Sequence, residues 1–409
     1  MKRPPSLALI FITVFVHLVG FGIVIPVLPL YADRFGASAF QAGMLLASYS
    51  AAQIMFAPIL GRISDRVGRK PVLMVSILGT AVGFFLMGMA DSLPVLFWGR
   101  ILDGVTGGNV STAQAYIADV TPLEDRSKRM GLIGAAFGLG FIFGPALGGI
   151  LSHISMAAPF LFAAGMAVLN ALFVKLWLPE SLPPSRRVTG SGEGVLPVIF
   201  HLWRVQTLNL IFATYLVVTI AFSLLTATYP LFAQDRFSCT VSQVGYIFAG
   251  LGLMSALIQG GLLGWLVKVF GDAGLVMLGA VILAAGFFLL PLSAGYFSMV
   301  AATGVVALGH SLVAAPLNGL ASKTVSPGSQ GQVLGAMQAI ASFARIVGPI
   351  AGGVLFDFDA ARNGVHVGIS PYFAAGAMTL GAFLLAFMLQ RSVRREMQHG
   401  VLGRGSYLP

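Results

Sequence analysis

Three places in this sequence put an ionisable side chain inside a long apolar stretch: His17, Asp103 and Arg345. An Arg or Asp at the centre of a membrane helix costs roughly 2.5–3.5 kcal/mol on insertion scales, so each needs a chemical reason. At helical spacing Arg100, Asp103, Gly107, Ser111 and Gln114 form one polar stripe, and Arg100 can pair directly with Asp103. Asp103 either exchanges a proton or stays permanently paired as a structural group. His17 shares a face with Thr13 and Gly20. Imidazole titrates near neutral pH, so His17 either carries a proton or serves as a neutral hydrogen-bonding group. Gln338, Ser342 and Arg345 recur at i, i+4 and i+7 and share a face. Arginine keeps its proton, so Arg345 either attracts an anionic or carbonyl-rich ligand or clamps a carboxylate or helix-end carbonyls. His310, Asn109, Gln53 and Tyr49 are further candidates to line a polar cavity.

Those side chains need elements that lipid can solvate. Hydrophobic residues make up 57% of the 409 and charged residues 9%, against about 25% charged in a soluble domain. Apolar runs of membrane-crossing length place helices over roughly 7–31, 41–62, 71–90, 94–118, 129–152, 157–178, 208–232, 242–267, 274–293, 297–319, 331–356 and 369–390. The expected fold is an all-α membrane protein with about twelve transmembrane helices. The first run lacks a small-residue cleavage site and is too long for a signal segment, so it is expected to be retained. The single cysteine, Cys239, excludes an internal disulfide and a Cys-based metal site. The six histidines are scattered without metal-ligand spacing, so no metal is expected. The net charge of +10 lies in short loops between spans and does not point to nucleic acid.

Basic residues gather in alternate loops, as in Lys2 and Arg3, Arg62 to Lys70, Arg126 to Arg129 and Arg391 to Arg395; the opposite loops hold only Arg34, Arg100, Arg236 and Arg362. This bias places both termini in the cytoplasm. A polar stretch rich in Pro, Gly and Ser divides the spans six and six. The expected organisation is an N-terminal bundle over 1–178, a cytoplasmic linker over 179–206, a C-terminal bundle over 207–392 and a cytoplasmic tail over 393–409.

The two halves repeat. PLYADRFG at Pro29–Gly36 returns as PLFAQDRFS at Pro230–Ser238, Gln41-Ala42-Gly43 as Gln243-Val244-Gly245, and GPALGG at Gly144–Gly149 as GPIAGG at Gly348–Gly353. Two six-helix halves in the same orientation imply a pseudo-two-fold axis along the membrane normal, a site between the halves and rocking that alternates access to it. Gly140, Gly144 and Gly148 share a helix face and allow close approach of a neighbour, while Pro145 weakens the local backbone ladder. In GRISDRVGRK at Gly61–Lys70, Gly61 and Gly68 suit tight turns. There Asp65, Arg66 and Arg69 can form ion pairs that exist in one conformation and break in another.

That loop resembles the signature loop of the major facilitator superfamily. Arg100 to Gly104 (RILDG) resembles its fourth-helix motif. Gly131, Gly140, Gly144, Pro145, Gly148 and Gly149 match the fifth-helix motif of its antiporters, and Pro179-Glu180-Ser181 fits the end of its sixth helix. Within the superfamily the chain is most similar to drug:proton antiporters of the tetracycline-resistance type, with Pro26-Val27-Leu28-Pro29, Phe56-Ala57-Pro58 and Ala118-Asp119-Val120 adding to the likeness. The resemblance implies a charge network of Asp65, Arg69 and Asp119, and a fifth helix that seals against leak. The second-half copy of the loop, GWLVKVFGD at Gly264–Asp272, has Lys268 in place of Asp65 and Asp272 near the place of Arg69. It reads as a worn copy with asymmetric gating.

The chain departs from the tetracycline exporters at their buried acids in helices one, three and nine. His17, Gly83 and approximately Leu283 stand there instead. A cationic metal–tetracycline complex is repelled by Arg345 and His17, so a neutral or anionic amphipathic compound is the expected substrate. The reading is a proton-coupled exporter working by alternating access, expected as a monomer in the bacterial inner membrane, with protons, a small-molecule substrate and the lipid bilayer as its partners. The alternatives are a proton-coupled uptake symporter or facilitator and, less favoured, a receptor without flux. No nucleophile–base set and no phosphate-binding Gly-rich Lys motif appears, so neither an enzyme nor direct use of ATP is expected, and no cofactor is implied.

Overall fold

The structure is a computed structural model and describes residues 7–187, 206–325, 330–363 and 368–398. Lys2 and Arg3, most of the expected linker (188–205) and the end of the expected tail (399–409) lie outside the described residues. Fourteen α-helices make up the described fold, with no strand among the described residues. In chain order they are α1 (Leu7–Asp33), α2 (Ala39–Val67), α3 (Arg69–Gly88), α4 (Leu93–Val105), α5 (Asn109–Val120), α6 (Leu123–Ser152), α7 (Ala158–Trp177), α8 (Gln206–Phe237), α9 (Val241–Leu257), α10 (Leu263–Phe270), α11 (Asp272–Leu289), α12 (Tyr296–Lys323), α13 (Gln330–Asn363) and α14 (Ser370–Gln398). A π-helical turn, Ile258–Leu262, runs from α9 into α10.

Among the described residues eleven helices are long and apolar enough to cross a membrane, with α9 and α10 forming one of them. The remaining expected span is divided into α4 and α5 by Thr106–Gly108. The arrangement is consistent with twelve spans. The break has local causes: two consecutive glycines weaken the helix, and the Gly107 carbonyl accepts a bond from Gln53 Nε2 at 3.1 Å rather than from within its own helix. The expected loop over 61–70 contracts to one residue. Gly68 has φ 113° and alone separates α2 from α3, whereas Gly61 lies within α2 beside open space.

The chain forms two compact units. The first holds α1 to α7 together with Ala233–Leu253. In it α1 lies along α6 and α7, and α3 along α4 and α7. The core joins Ile10 and Val14 of α1 to Leu73 and Ile77 of α3, Tyr116 of α5 and Ala171 and Val174 of α7. Small residues make the α1–α6 contact: a Cβ on Gly144 would lie 2.6 Å from the Gly22 Cα, so only glycine lets the backbones come so near. The second unit holds the described residues up to Phe232 in α8 and from Met254 onward. There α11 packs on α12 and α14, and Gly348 of α13 lies against Ile220 and Ser223 of α8. The repeated GP-x-x-GG segment thus makes the same close helix pair in each unit. The repeated Gln is likewise explained by capping. Ser38 with Gln41, and Thr240 with Gln243, each form reciprocal bonds at a helix start.

Candidate functional site

The first unit contains a buried polar cluster on α1, α2, α3 and the broken α4–α5 element. Arg100 and Asp103 are 1% and 3% exposed, Asn109 1% and His17 8%. Arg100 Nη1 donates to Asp103 Oδ2 at 3.2 Å, and the guanidinium lies over the Tyr49 ring, 4.5 Å from its centroid. Gln53 Nε2 donates to the Tyr49 hydroxyl at 2.9 Å. Asn109 Nδ2 is 3.2 Å from His17 Nδ1 and 3.5 Å from the Thr80 hydroxyl, and Thr80 stands beside Asp103. A cavity of about 10 Å³, large enough for one water, is lined by His17, Thr80, Asn109 and Asn170 among others. Asp103 Oδ1, Arg100 Nε and Asn109 Oδ1 are buried without a hydrogen-bond partner among the described residues. Such orphaned polar atoms mark a site that ligand, water or proton completes.

The helix break corrects the expected stripe. Arg100, Asp103 and Gly107 remain together, but the turn at Thr106–Gly108 shifts the helical phase, leaving Ser111 exposed and Gln114 half-buried, outside the cluster. Thr80 and Asn170 join the cluster from α3 and α7, where no spacing along the chain reveals them. Arg100, placed with the loop residues by the charge pattern, is instead the largest fully buried side chain among the described residues. Gly104 lies against the Tyr49 backbone. Gly83 packs against α4: a Cβ there would meet the Gly99 carbonyl at 2.8 Å and Asp103 Cβ at 3.1 Å. The position where the resemblance expects a third-helix acid therefore has no room for one, and the Asp103 carboxylate stands next to it.

A second charged group holds the α2–α3 corner. Arg69 Nη1 meets Asp65 Oδ1 at 2.6 Å, and its Nε donates to Asp119 Oδ2 at 3.0 Å. Arg69 Nη1 also donates to the Ser64 hydroxyl at 2.7 Å. Asp119 accepts from Ser181 Oγ at 2.9 Å. Glu180, quoted from the sequence within the Pro179-Glu180-Ser181 motif but given no role there, accepts the backbone N–H groups of Arg69 and Lys70 at 2.8 and 3.2 Å. It caps the N-terminus of α3, where negative charge is favoured. Arg66 is exposed and stands outside this group, so the expected three-residue ion-pair set reduces to Asp65 and Arg69, joined by Asp119.

The second unit has the same corner with its charges exchanged. Gly271, at φ 70°, separates α10 from α11 as Gly68 separates α2 from α3. Asp272, the first residue of α11, pairs with Lys323 near the end of α12 at 2.6 Å. Asp65, Arg69 and Asp119 thus correspond to Lys268, Asp272 and Lys323. The apparent decay of the loop is a reversal of sign that keeps the helix-to-helix tie, with Lys268 exposed.

Elsewhere in this unit, Arg345 Nη2 donates to Ser342 Oγ at 3.0 Å, Gln338 is exposed, and His310 stacks on Phe222 with centroids 3.9 Å apart. The motif glycines divide by role. Gly140, Gly144 and Gly148 face α1, Gly149 meets Ser242 of α9, and Gly131 faces open space. Pro145 lies inside a continuous α6. Among the described residues no group of three or more His, Cys, Asp or Glu stands ready to hold a metal ion.

The sequence profile of the Major Facilitator Superfamily matches residues 10–349 and again 211–401. The chain belongs to this superfamily. It is 34% identical to the class C tetracycline resistance protein of Escherichia coli over 86% of this chain and 89% of that protein. It is 28% identical to multidrug resistance protein 1 of Bacillus subtilis over 94% and 96%. A solved bacterial homolog of the human lysosomal transporter Spinster shares the fold at TM-score 0.79 and 15% identity, covering 94% of this chain and 96% of that one. Membership of the Major Facilitator Superfamily makes the chain a multi-pass membrane transport protein rather than an enzyme.

Proposed function

We propose that this transporter exports a small amphipathic compound, neutral or anionic, in exchange for protons, and that it works as a monomer in a bacterial inner membrane with both termini in the cytoplasm. The observation that carries the reading is the buried Arg100–Asp103 pair, with its orphaned carboxylate oxygen, joined through Thr80 and Asn109 to His17. A buried titratable cluster inside membrane-length helices suits proton exchange. The names of the tetracycline and multidrug resistance relatives support export of drug-like compounds. Asp103 or His17 takes the coupled proton. The two six-helix halves, 1–178 and 207–392, are its working parts. Asp65, Arg69 and Asp119 form a latch at the α2–α3 corner of the first half, and Asp272 with Lys323 a charge-reversed latch in the second.

Expression in an efflux-deficient bacterium tests the reading. Cells carrying the protein should accumulate less of an amphipathic dye, and a protonophore should abolish the difference. Dye exclusion that survives collapse of the proton gradient rejects proton coupling. Greater accumulation in expressing cells rejects export.

A further inference from the structure

The second unit carries a polar and aromatic face that suits a particular kind of ligand. Three helices contribute to it: Tyr215 and Phe222 on α8, His310 and Asn318 on α12, Arg345 on α13. Tyr215 and Phe222 are seven residues apart, and His310 and Asn318 eight, so each pair lies on one side of its helix, two turns apart. At one level the Phe222 ring and the His310 imidazole stack at 3.9 Å with 17° between planes. About two turns away Arg345 Nη2 donates to Ser342 Oγ at 3.0 Å, with Tyr215 within electrostatic reach of the guanidinium and the Asn318 amide donating to the Ala314 carbonyl at 2.9 Å. All five side chains are half-buried. Large exposed side chains of this unit, such as Trp265, Leu292 and Leu384, are apolar, whereas this group carries hydroxyl, amide, imidazole and guanidinium functions. Intramembrane polar groups that stay partly exposed mark a path for solute or water.

The chemistry at the two levels differs. A face-stacked aromatic pair offers a flat surface onto which a further ring extends the stack. A guanidinium beside the Ser342 hydroxyl and near Tyr215 offers planar donors that match a carboxylate or similar oxyanion. Seven residues of helix rise by about 10 Å, which sets the spacing between them. We propose that this face is a binding site for an elongated aromatic anion, with its ring on the Phe222–His310 platform and its carboxylate at Arg345, about 10 Å away. As a statement about cargo this rests on the exporter reading; as a statement about binding it does not.

Binding to the full-length protein in lipid nanodiscs, with no ion gradient, tests it. The probe is 4-(biphenyl-4-yl)butanoate, compared with its primary amide and with dodecanoate. Wild type should bind the acid at least tenfold more tightly than the amide, and at least tenfold more tightly than dodecanoate. Arg345→Gln should remove the preference for acid over amide. Phe222→Leu should remove the preference for biphenyl over alkyl while leaving acid favoured over amide. The wild-type comparison needs no variant, so a misfolded Arg345→Gln does not blunt the test. Equal binding of acid and amide by wild type overturns the proposal, as does an Arg345→Gln protein that folds and still prefers the acid. Anion-selective binding without proton-coupled transport would sink the exporter reading alone. Proton-coupled transport by a protein without anion preference would sink this inference alone.

Discussion

Asp103→Asn keeps the shape of the side chain and removes its charge, leaving the Arg100 guanidinium buried without a carboxylate. At the observed 3.2 Å, two unit charges attract by about 5 kcal/mol at an effective dielectric of about 20. Removing one member of a buried pair costs about 3–5 kcal/mol. The Tyr49 ring, 4.5 Å from the guanidinium, is in place before and after the change and cancels, so a net loss of about 3–5 kcal/mol is expected. Replacing both residues by apolar ones of similar size, Arg100→Met with Asp103→Leu, removes the uncompensated charge altogether. That double variant should unfold within about 1 kcal/mol of wild type, or be more stable. Denaturant unfolding of the detergent-purified proteins by circular dichroism measures both. The same three proteins are then assayed for proton-coupled transport. The single variant should lose stability and coupling, whereas the double variant should keep its fold and lose coupling. A double variant that folds and still exchanges protons would show that the pair is only structural. An Asp103→Asn protein as stable as wild type would refute the electrostatic argument itself.

Asp119→Asn removes a charged acceptor from Arg69 and Ser181 while Asp65 and Ser64 stay in place. It should slow transport at least several-fold at a stability cost of about 2 kcal/mol, read from initial rates per folded molecule; unchanged rates would remove the latch from the account. In the second unit, Asp272→Lys and Lys323→Asp should each impair transport, at a cost of about 1 kcal/mol or less for a pair so exposed. Together they restore the pair at 2.6 Å with reversed sign, so transport should recover to at least half the wild-type rate. Gly144→Val drives a side chain into the Gly22 backbone and should cost about 1–3 kcal/mol or more by overpacking. Gly131→Ala, in open space, should be neutral or gain up to about 1 kcal/mol; the two unfolding midpoints check the contrast.

The sequence and the structure agree where function and packing depend on residue types repeated along one helix. Gly140, Gly144 and Gly148 announce a close helix contact because their spacing alone defines a face, and α1 is the partner that fills it. Gln41 and Gln243 are legible in the chain only as a repeat; the bonds they form with Ser38 and Thr240 at the helix starts appear in the structure. Asp65 and Arg69 are four apart on neighbouring turns, so their pairing is readable too. What the chain does not spell out is contact between helices. Thr80 meets Asn109 from α3, Asn170 accepts from Thr13 and lines the same small cavity as His17 from α7, and Glu180 reaches back more than a hundred residues to cap α3. The break at Thr106–Gly108 was hidden because its glycines sit inside an otherwise helical pattern, and it takes the Gln53 bond to Gly107 to fix the turn. The sign reversal at Lys268, Asp272 and Lys323 looked like decay because Lys323 lies on another helix; the ion pair shows the tie is kept.

Proton movement in inverted membrane vesicles tests the central claim most directly. The vesicles are acidified inside, and amphipathic neutral and anionic compounds are added one at a time, with tetracycline included. Wild-type vesicles should lose part of the gradient when a transported compound is added, and vesicles carrying folded Arg100→Met with Asp103→Leu should not. If wild-type vesicles take up a compound while the proton gradient stays intact, proton-coupled export through the buried Arg100–Asp103 cluster is contradicted.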